Sequence, residues 1–280
     1  ECVIYRDNII FIVYVDDGIF LGTSDDQLSH VIKELTDIGL QIEDLGRPAD
    51  YVGVNIKRLP DGLYKFSQWT LIDSIIADVG LTSHDFTKPV PAKCTLRLHA
   101  FLDSPPFQEE WNYRSAVGKL NYLGQTSRPD IQYATHMVAK YSSNPKQEHG
   151  QAIIYIARYL IKTRDLGLHF KPDSSKGFYC YADADFLGEW NKEFAELDPS
   201  TAKSRSGWFI LYANCPVIWC SKLQSQVALS TTEAEYIALS QALRDVIPIM
   251  ALLHEMRERQ FHVICEAPRI YCKAFEDNSG

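Results

Sequence analysis

Two adjacent aspartates near the start of the chain lie between two apolar runs. Asp16 and Asp17 follow the run 9–15 and precede the run 19–22. Asp-Gly between apolar runs predicts a β-hairpin that turns at Asp16, Asp17 and Gly18, because glycine adopts positive φ without steric cost. Two carboxylates at one hairpin tip repel each other unless water or a divalent cation separates their charges. The spacing therefore leaves two interpretations, a solvated turn and a metal site.

Two further acidic residues lie at the ends of predicted elements in the last third of the chain. Asp183 ends the apolar strand 178–183, a position typical of an acid that faces solvent. Glu233 closes the sequence Ser-Thr-Thr-Glu that begins at Ser230, which is a capping box and predicts the start of a helix. From the residues alone, each of these acids has an ordinary structural role.

The remaining elements follow from hydrophobic periodicity and turn residues. Helical spacing predicts helices over residues 25–38, 68–79, 113–125, 129–141, 147–163 and 230–247, and over 249–258 after a break at Pro248. Apolar or alternating runs predict strands at 40–45, 51–58, 63–67, 178–183, 207–213, 217–221, and at either 262–265 or 269–272. The Pro-rich stretch 87–107 predicts a linker.

Composition and charge narrow the class of protein. The 280 residues are 46% hydrophobic and 23% charged, which excludes a mainly disordered chain and fits two or three compact units. The net charge is −8, yet residues 88–176 carry 13 Lys and Arg against 7 Asp and Glu. A basic middle segment suits contact with a nucleic-acid backbone, and a solvated surface of mixed charge is the alternative. The seven scattered cysteines predict reduced thiols in an intracellular protein, and no apolar run predicts a membrane span.

Several strings resemble one family of polymerases. Tyr14-Val15-Asp16-Asp17 matches the Tyr-x-Asp-Asp signature of reverse transcriptases, and its flanks resemble those of copia-type retrotransposons. The match implies that Asp16 and Asp17 bind Mg²⁺ in the palm of a polymerase. Other strings resemble the primer grip, the connecting region and the ribonuclease H of that family, in the family's order: 50–56, 113–118, 127–131, 158–160, 204–208, 219–222 and 230–236.

The resemblance implies a protein of the α+β or α/β class with three parts. Residues 1–86 would form a partial reverse-transcriptase palm with its β-hairpin and the start of the thumb. Residues 87–172 would form a linker and a helical connection region. Residues 173–280 would form a C-terminally truncated ribonuclease H-like domain, a mixed sheet with helices. The family's upstream polymerase Asp and its fourth ribonuclease H acid are absent from this sequence, so both active sites are expected to be incomplete here.

The resemblance also implies a second Mg²⁺ site, with two ions per active site in the intact enzyme. Asp183 and Glu233 match the first two ribonuclease H ligands, and a strand and a helix would then aim their carboxylates at one point. Asp277 is the expected third catalytic acid. It follows four residues, 273–276, that the family pattern lacks, so Glu276 is an alternative.

The function implied is that of a fragment of a retrotransposon reverse transcriptase and ribonuclease H. The intact polyprotein would polymerise DNA on RNA and cleave RNA in RNA–DNA hybrids with Mg²⁺, whereas this fragment is expected to lack polymerase activity. Expected partners are an RNA–DNA hybrid or primer-template and the remainder of the polyprotein, with no membrane, in a cytoplasmic particle or the nucleus. The alternatives are a degenerate, non-catalytic remnant that binds nucleic acid at most, and a stand-alone ribonuclease H.

Overall fold

The computed structural model describes residues 3–93, 98, 103–192, 195–265 and 269–277. Within these ranges the protein is a mixed α+β structure with three β-sheets and six α-helices. The expected α+β class is therefore confirmed at this level.

The first sheet is an antiparallel meander at the start of the chain. Its strands, in the order β1-β2-β3, are β1 (Val3–Arg6), β2 (Ile9–Tyr14) and β3 (Asp17–Leu21). Helix α1 (Asp25–Asp37) follows, and the Ser24 hydroxyl caps it by accepting a bond from the Gln27 amide at 3.4 Å. Strand β1 therefore flanks the acidic β2–β3 hairpin on one side, and a short connection leads from β3 to α1.

The hairpin turns one residue earlier than the sequence predicts. Tyr14 pairs with Asp17, so the turn consists of Val15 and Asp16, and Val15 takes the positive φ of 55°. Gly18 lies inside β3 instead, where a Cβ atom would lie 2.6 Å from the ring of Phe11. The predicted role of Gly18 as the turn residue is wrong. Its missing side chain leaves room for an aromatic ring.

The second sheet joins two segments that are far apart in sequence. Its antiparallel strands are β4 (Asp50–Tyr51), β5 (Val54–Arg58), β6 (Tyr64–Ser67) and β7 (Leu168–Phe170), in that order. The strand predicted at 40–45 does not form, and Leu45 is 83% exposed. An apolar run becomes a strand when a neighbour completes its hydrogen bonds, and this run pairs with none of the described strands.

Four helices share one hydrophobic core. They are α2 (Trp69–Asp78), α3 (Tyr113–Thr126), α4 (Gln132–Ala139) and α5 (Gln147–Lys162). Ile72 and Ile75 of α2 are fully buried in the cluster that also contains Leu120 and Ile153. Helix α2 therefore packs with helices from beyond residue 87, and β6 of the same segment pairs with β7. The three-part division of the chain remains a prediction for the intact protein.

The third sheet has a parallel strand at its edge. In the order β10-β9-β8-β11 its strands are β8 (Phe178–Asp185), β9 (Arg205–Tyr212), β10 (Cys215–Leu223) and β11 (Cys272–Phe275). Strands β8, β9 and β10 pair antiparallel, whereas β11 runs parallel to β8. Of the two alternatives for the last strand, 262–265 is irregular, and β11 begins at Cys272, the last residue of the other. The five described cysteines, 180, 215, 220, 265 and 272, are free thiols.

Helix α6 (Thr231–Glu258) covers one face of the third sheet. The predicted break at Pro248 is wrong, because the helix continues through this residue. Proline removes one helical hydrogen bond. Val246 and Leu253 on either side of it are buried against the sheet, and this packing holds both halves in one helix.

Helix α6 also has the length and the mean hydropathy of a segment that could cross a bilayer. The prediction that no apolar run has the length needed to span a bilayer is therefore wrong. Core helices of soluble proteins share these properties, and α6 packs against the third sheet through its buried residues.

Partly buried polar contacts join the third sheet to α3 and α4. The Trp219 indole of β10 donates to the Gly124 carbonyl of α3 at 2.7 Å. Arg205 of β9 bonds to Glu189, and Glu189 accepts from Lys140 at the end of α4 at 2.7 Å. The three charged side chains are 7–14% exposed, and a paired, buried charge fixes the relative position of the elements that carry it.

Candidate metal centre

Three carboxylates from the third sheet and α6 lie together. Asp183 belongs to β8, Glu235 to the first turns of α6, and Asp277 follows β11. One carboxylate oxygen of each lies within 4.8 Å of the others. Three oxygens at this separation can be ligands of one hard divalent cation.

The parallel pairing of β8 and β11 explains why two of these acids meet. Tyr181 of β8 is paired with Phe275 of β11, and both strands run in the same direction. Asp183 and Asp277 each come two residues later, so they leave the sheet at the same end. Residues 273–275, part of the segment that the family pattern lacks, form most of β11 itself. The third acid thus follows its strand without a long connection.

Glu235 is the buried member of the cluster. Its residue is 8% exposed, its carboxylate accepts a hydrogen bond from the Ala184 backbone amide, and its Oε2 atom has no hydrogen-bond partner among the described residues. Burial raises the pKa of Glu235, and the carboxylates of Asp183, Glu276 and Asp277 raise it further, against the opposing effect of the Ala184 amide. A buried, unpaired carboxylate oxygen that faces other acids is the arrangement that a bound cation would satisfy. The donor set therefore fits Mg²⁺.

Glu233, the second ligand expected from the sequence, is not brought to Asp183. Its backbone amide donates to the Ser230 hydroxyl at 3.1 Å, and its carboxylate accepts from the Leu229 amide at 2.7 Å. The residue therefore belongs to the helix cap. Its carboxylate bonds to the amide one residue before the one that the Ser-Thr-Thr-Glu capping box predicts, which is that of Ser230. The structure brings Asp183 and Asp277 together and places Glu235 in the position expected for Glu233.

A signal for Glu235 was present in the sequence. Ala238, Ala242 and Val246 recur at helical spacing from residue 235 and are buried on the sheet side of α6. Glu233 lies outside this series, two positions before its first member. Projecting the apolar series onto a helix selects Glu235 as the acid on the buried face.

The two aspartates of the hairpin do not form a comparable cluster. Asp16 and Asp17 are exposed, and in the described parts of the chain no third acid, histidine or cysteine approaches them closely enough to complete a metal site. Tyr122 of α3 donates to the Val52 carbonyl in the turn between β4 and β5, and Tyr14 of the hairpin adds to the effect of burial in raising the pKa of Tyr122.

Comparison with known proteins shows similarity to parts of transposon polyproteins. No protein-family model matches the chain. It is 30% identical over 275 residues to a retrovirus-related Pol polyprotein from transposon RE2 of Arabidopsis thaliana, covering 98% of the chain and 17% of that protein. It is 31% identical over 272 residues to the Pol polyprotein from transposon TNT 1-94 of Nicotiana tabacum, covering 92% of the chain and 19% of the relative. The homologues at about 30% identity over most of the chain are thus retrovirus-related Pol polyproteins from copia-type transposons.

A shorter relative matches most of the chain. The uncharacterized mitochondrial protein AtMg00810 of Arabidopsis thaliana is 30% identical over 230 residues, which are 82% of the chain and 89% of the relative. By contrast, the chain spans less than a fifth of the polyproteins from RE2 and TNT 1-94. The polyproteins' activities therefore apply to this chain as proposals.

The basic middle segment of this Pol-related chain uses several of its cations internally. They form ion pairs with acids of the same chain: Lys119 with Asp78, Arg128 with Asp130, Lys140 with Glu189, and Arg164 with Asp73. Arg128 is 1% exposed and also bonds to the Thr163 carbonyl, so it belongs to the core. The charge available to a nucleic-acid backbone is therefore smaller than the sequence count indicates.

Proposed function

We propose that this chain is the reverse transcriptase and ribonuclease H part of a copia-type Pol polyprotein. In this proposal Asp183, Glu235 and Asp277 bind Mg²⁺ for hydrolysis of the RNA strand in an RNA–DNA hybrid. The observation that carries it is the convergence of three carboxylates, one of which has a buried oxygen without a partner among the described residues.

Each residue has a distinct task in this site. Bound Mg²⁺ would activate a water molecule and neutralise charge on the phosphate that is cleaved. Glu235 bonds to the Ala184 amide, and its Oε2 atom, which has no partner among the described residues, is available to a cation. Asp183 and Asp277 are exposed and supply oxygens from the side open to a nucleic acid. One buried and two solvent-facing carboxylates would hold the cation where a substrate phosphate could reach it.

Cleavage of a labelled RNA–DNA hybrid tests this function. We expect Mg²⁺-dependent cutting of the RNA strand that is lost in Asp183→Asn and in Glu235→Gln. The matched control is Glu233→Gln, which makes the same substitution two residues away at the helix cap and should retain cleavage. Equal cleavage by the wild-type chain and Glu235→Gln would refute the assignment. Absence of cleavage by the wild-type chain would favour the non-catalytic remnant.

We propose for the hairpin a contribution to a polymerase site that other residues complete. Asp16 and Asp17 would supply Mg²⁺ ligands for primer extension, and the lack of a third nearby ligand among the described residues supports the view that the chain does not polymerise alone. Primer extension on an RNA template tests this proposal. Mg²⁺-dependent extension by this chain that Asp16→Asn abolishes would show that the site is already complete.

A further inference from the structure

Gln224, which follows β10, is the polar residue that joins α6 to the third sheet beside the carboxylate cluster. It is 1% exposed, and its backbone amide extends the sheet by donating to the Ser204 carbonyl at 2.8 Å. Its side-chain Nε2 donates to two acceptors, the Ala234 carbonyl at 2.8 Å and the Ser206 hydroxyl at 3.1 Å. A carbonyl can only accept, so the amide nitrogen must face Ala234.

One acceptor of the Gln224 amide lies in α6, which carries Glu235, and the other lies in β9, which pairs with the strand that carries Asp183. Ala234 directly precedes Glu235 in α6. Ser206 is the cross-strand partner of Ala184, whose amide donates to the Glu235 carboxylate. These contacts form a closed circuit. Gln224 bonds to α6, which carries Glu235, and Glu235 bonds to Ala184 of β8. Strand β8 pairs with β9, whose Ser206 bonds back to Gln224. This circuit fixes how far the first turn of α6 stands from β8.

From this circuit we infer that Gln224 is a positioning residue, which sets the separation between the carboxylates of Glu235 and Asp183 and thereby the affinity of the site for a divalent cation. The inference rests on the proposed function, since it takes the cluster to be a cation site. Residues that orient metal ligands through hydrogen bonds typically change metal affinity by about 10- to 100-fold when they are replaced.

Binding of Mn²⁺ as a surrogate for Mg²⁺, followed by electron paramagnetic resonance, tests the inference. Gln224→Met keeps a side chain of similar length without the amide donor, and we expect it to raise the Kd for Mn²⁺ about tenfold. Ser206→Ala removes one acceptor of the same amide and should raise the Kd in the same direction by less. The matched control is Gln226→Ala, an exposed glutamine two residues along, which should bind Mn²⁺ like the wild type.

Thermal melting with and without Mn²⁺ separates positioning from general stability. Ile210→Val removes a buried methyl group from β9, so it should lower Tm equally in both conditions. Gln224→Met should specifically reduce the increase in Tm that Mn²⁺ produces, because that increase depends on Kd. If Gln224→Met does not fold, the same comparison is made with Ser206→Ala.

The outcomes distinguish the inference from the function on which it rests. Wild-type Mn²⁺ affinity in both Gln224→Met and Ser206→Ala, with binding lost in Asp183→Asn and Glu235→Gln, would overturn the inference and leave the metal site intact. Unchanged binding in Asp183→Asn and Glu235→Gln would overturn both.

Discussion

The carboxylate of Glu235 lies within 4.8 Å of the carboxylate of Asp183, and the backbone amide of Ala184, the next residue of β8, donates to Glu235. The strand therefore positions the helix residue with its own backbone. The contact with the β8 backbone explains why the buried carboxylate of Glu235 lies close to that of Asp183 although the two charges repel.

Replacing either of two glutamates in the first turns of α6 by glutamine should change the free energy of unfolding, in opposite directions for the two residues. Without metal at neutral pH, Glu235→Gln should raise the free energy of unfolding, because it removes a buried charge that faces other carboxylates. Glu233→Gln should lower it by about 0.3–1 kcal/mol, because it removes a charge that favours the helix N-terminus. Urea unfolding of both variants in chelator checks this, and a loss of stability in Glu235→Gln would contradict it.

Cation binding should weaken as the pH falls, and it should begin to weaken above the ordinary pKa of glutamate. The pKa of Glu235 is raised above 4.5, so its carboxylate takes up a proton at a higher pH than an exposed glutamate does. A protonated ligand competes with the cation. Titrations with Mn²⁺ from neutral to mildly acidic pH measure the effect. In the same titrations Glu233→Gln should show the wild-type pH dependence.

Adding one methyl group should have opposite effects at two glycines. Gly18→Ala should lower stability by about 1 kcal/mol or more, because the new Cβ would overlap the ring of Phe11, which is stacked on Phe20 at 4.0 Å. Gly118→Ala in α3 should raise it by about 0.5–1 kcal/mol, because no atom lies within 4 Å and alanine favours the helix. Denaturant unfolding checks both, and a stabilising Gly18→Ala would show that the hairpin has room there.

The buried arginine at the start of β9 should contribute far more than an exposed one. Arg205→Met removes one partner of Glu189, and breaking a buried ion pair costs about 3–5 kcal/mol. Arg47→Met removes an exposed ion pair with Asp25 and should change stability by about 1 kcal/mol at most. Comparable losses in the two variants would show that Arg205 does not hold the sheet to α4.

Because of His136, the protein should lose stability as the pH falls below 6.5, the ordinary pKa of histidine. Burial, helped by the neighbouring Arg205 and Lys140 and opposed by Glu189, lowers its pKa to about 4. The unfolded chain takes up a proton near pH 6.5 and the folded one only near 4, so stability is lost as the pH falls through this window. His136→Gln keeps an acceptor for Arg205 and should flatten the stability profile, measured by urea unfolding, across the same window. A profile with the wild-type slope would assign the loss to other groups.

The sequence predicted most helices well and the strands less completely. Helices α1 to α5 were expected within a few residues, because a helix closes its hydrogen bonds within its own segment. Strands β1 and β7 were missed and the strand at 40–45 was wrong, because a strand depends on a partner that the local pattern does not identify.

The residues of the candidate site were also predicted only in part. Asp183 was named from the sequence because it ends an apolar strand and matches the family's first ligand by position. Asp277 was named as the third acid although residues 273–276 depart from the family pattern, and the structure brings both acids together. Glu233 was chosen over Glu235 because the string 230–236 resembles the family's active-site helix. The alternative weighed against it, a role in the helix cap, is closer to what the structure shows for Glu233.

The sequence by itself determined most of the helices, the Asp-Asp hairpin, the helix cap at Ser230 and the similarity to transposon Pol polyproteins. Those features depend on neighbouring residues or on identity along the chain. Only the tertiary structure decided that β11 runs parallel to β8 and that Glu235 faces Asp183. Which carboxylates meet depends on the direction of paired strands and on the rotation of α6 over the sheet, and both are set by packing between distant segments.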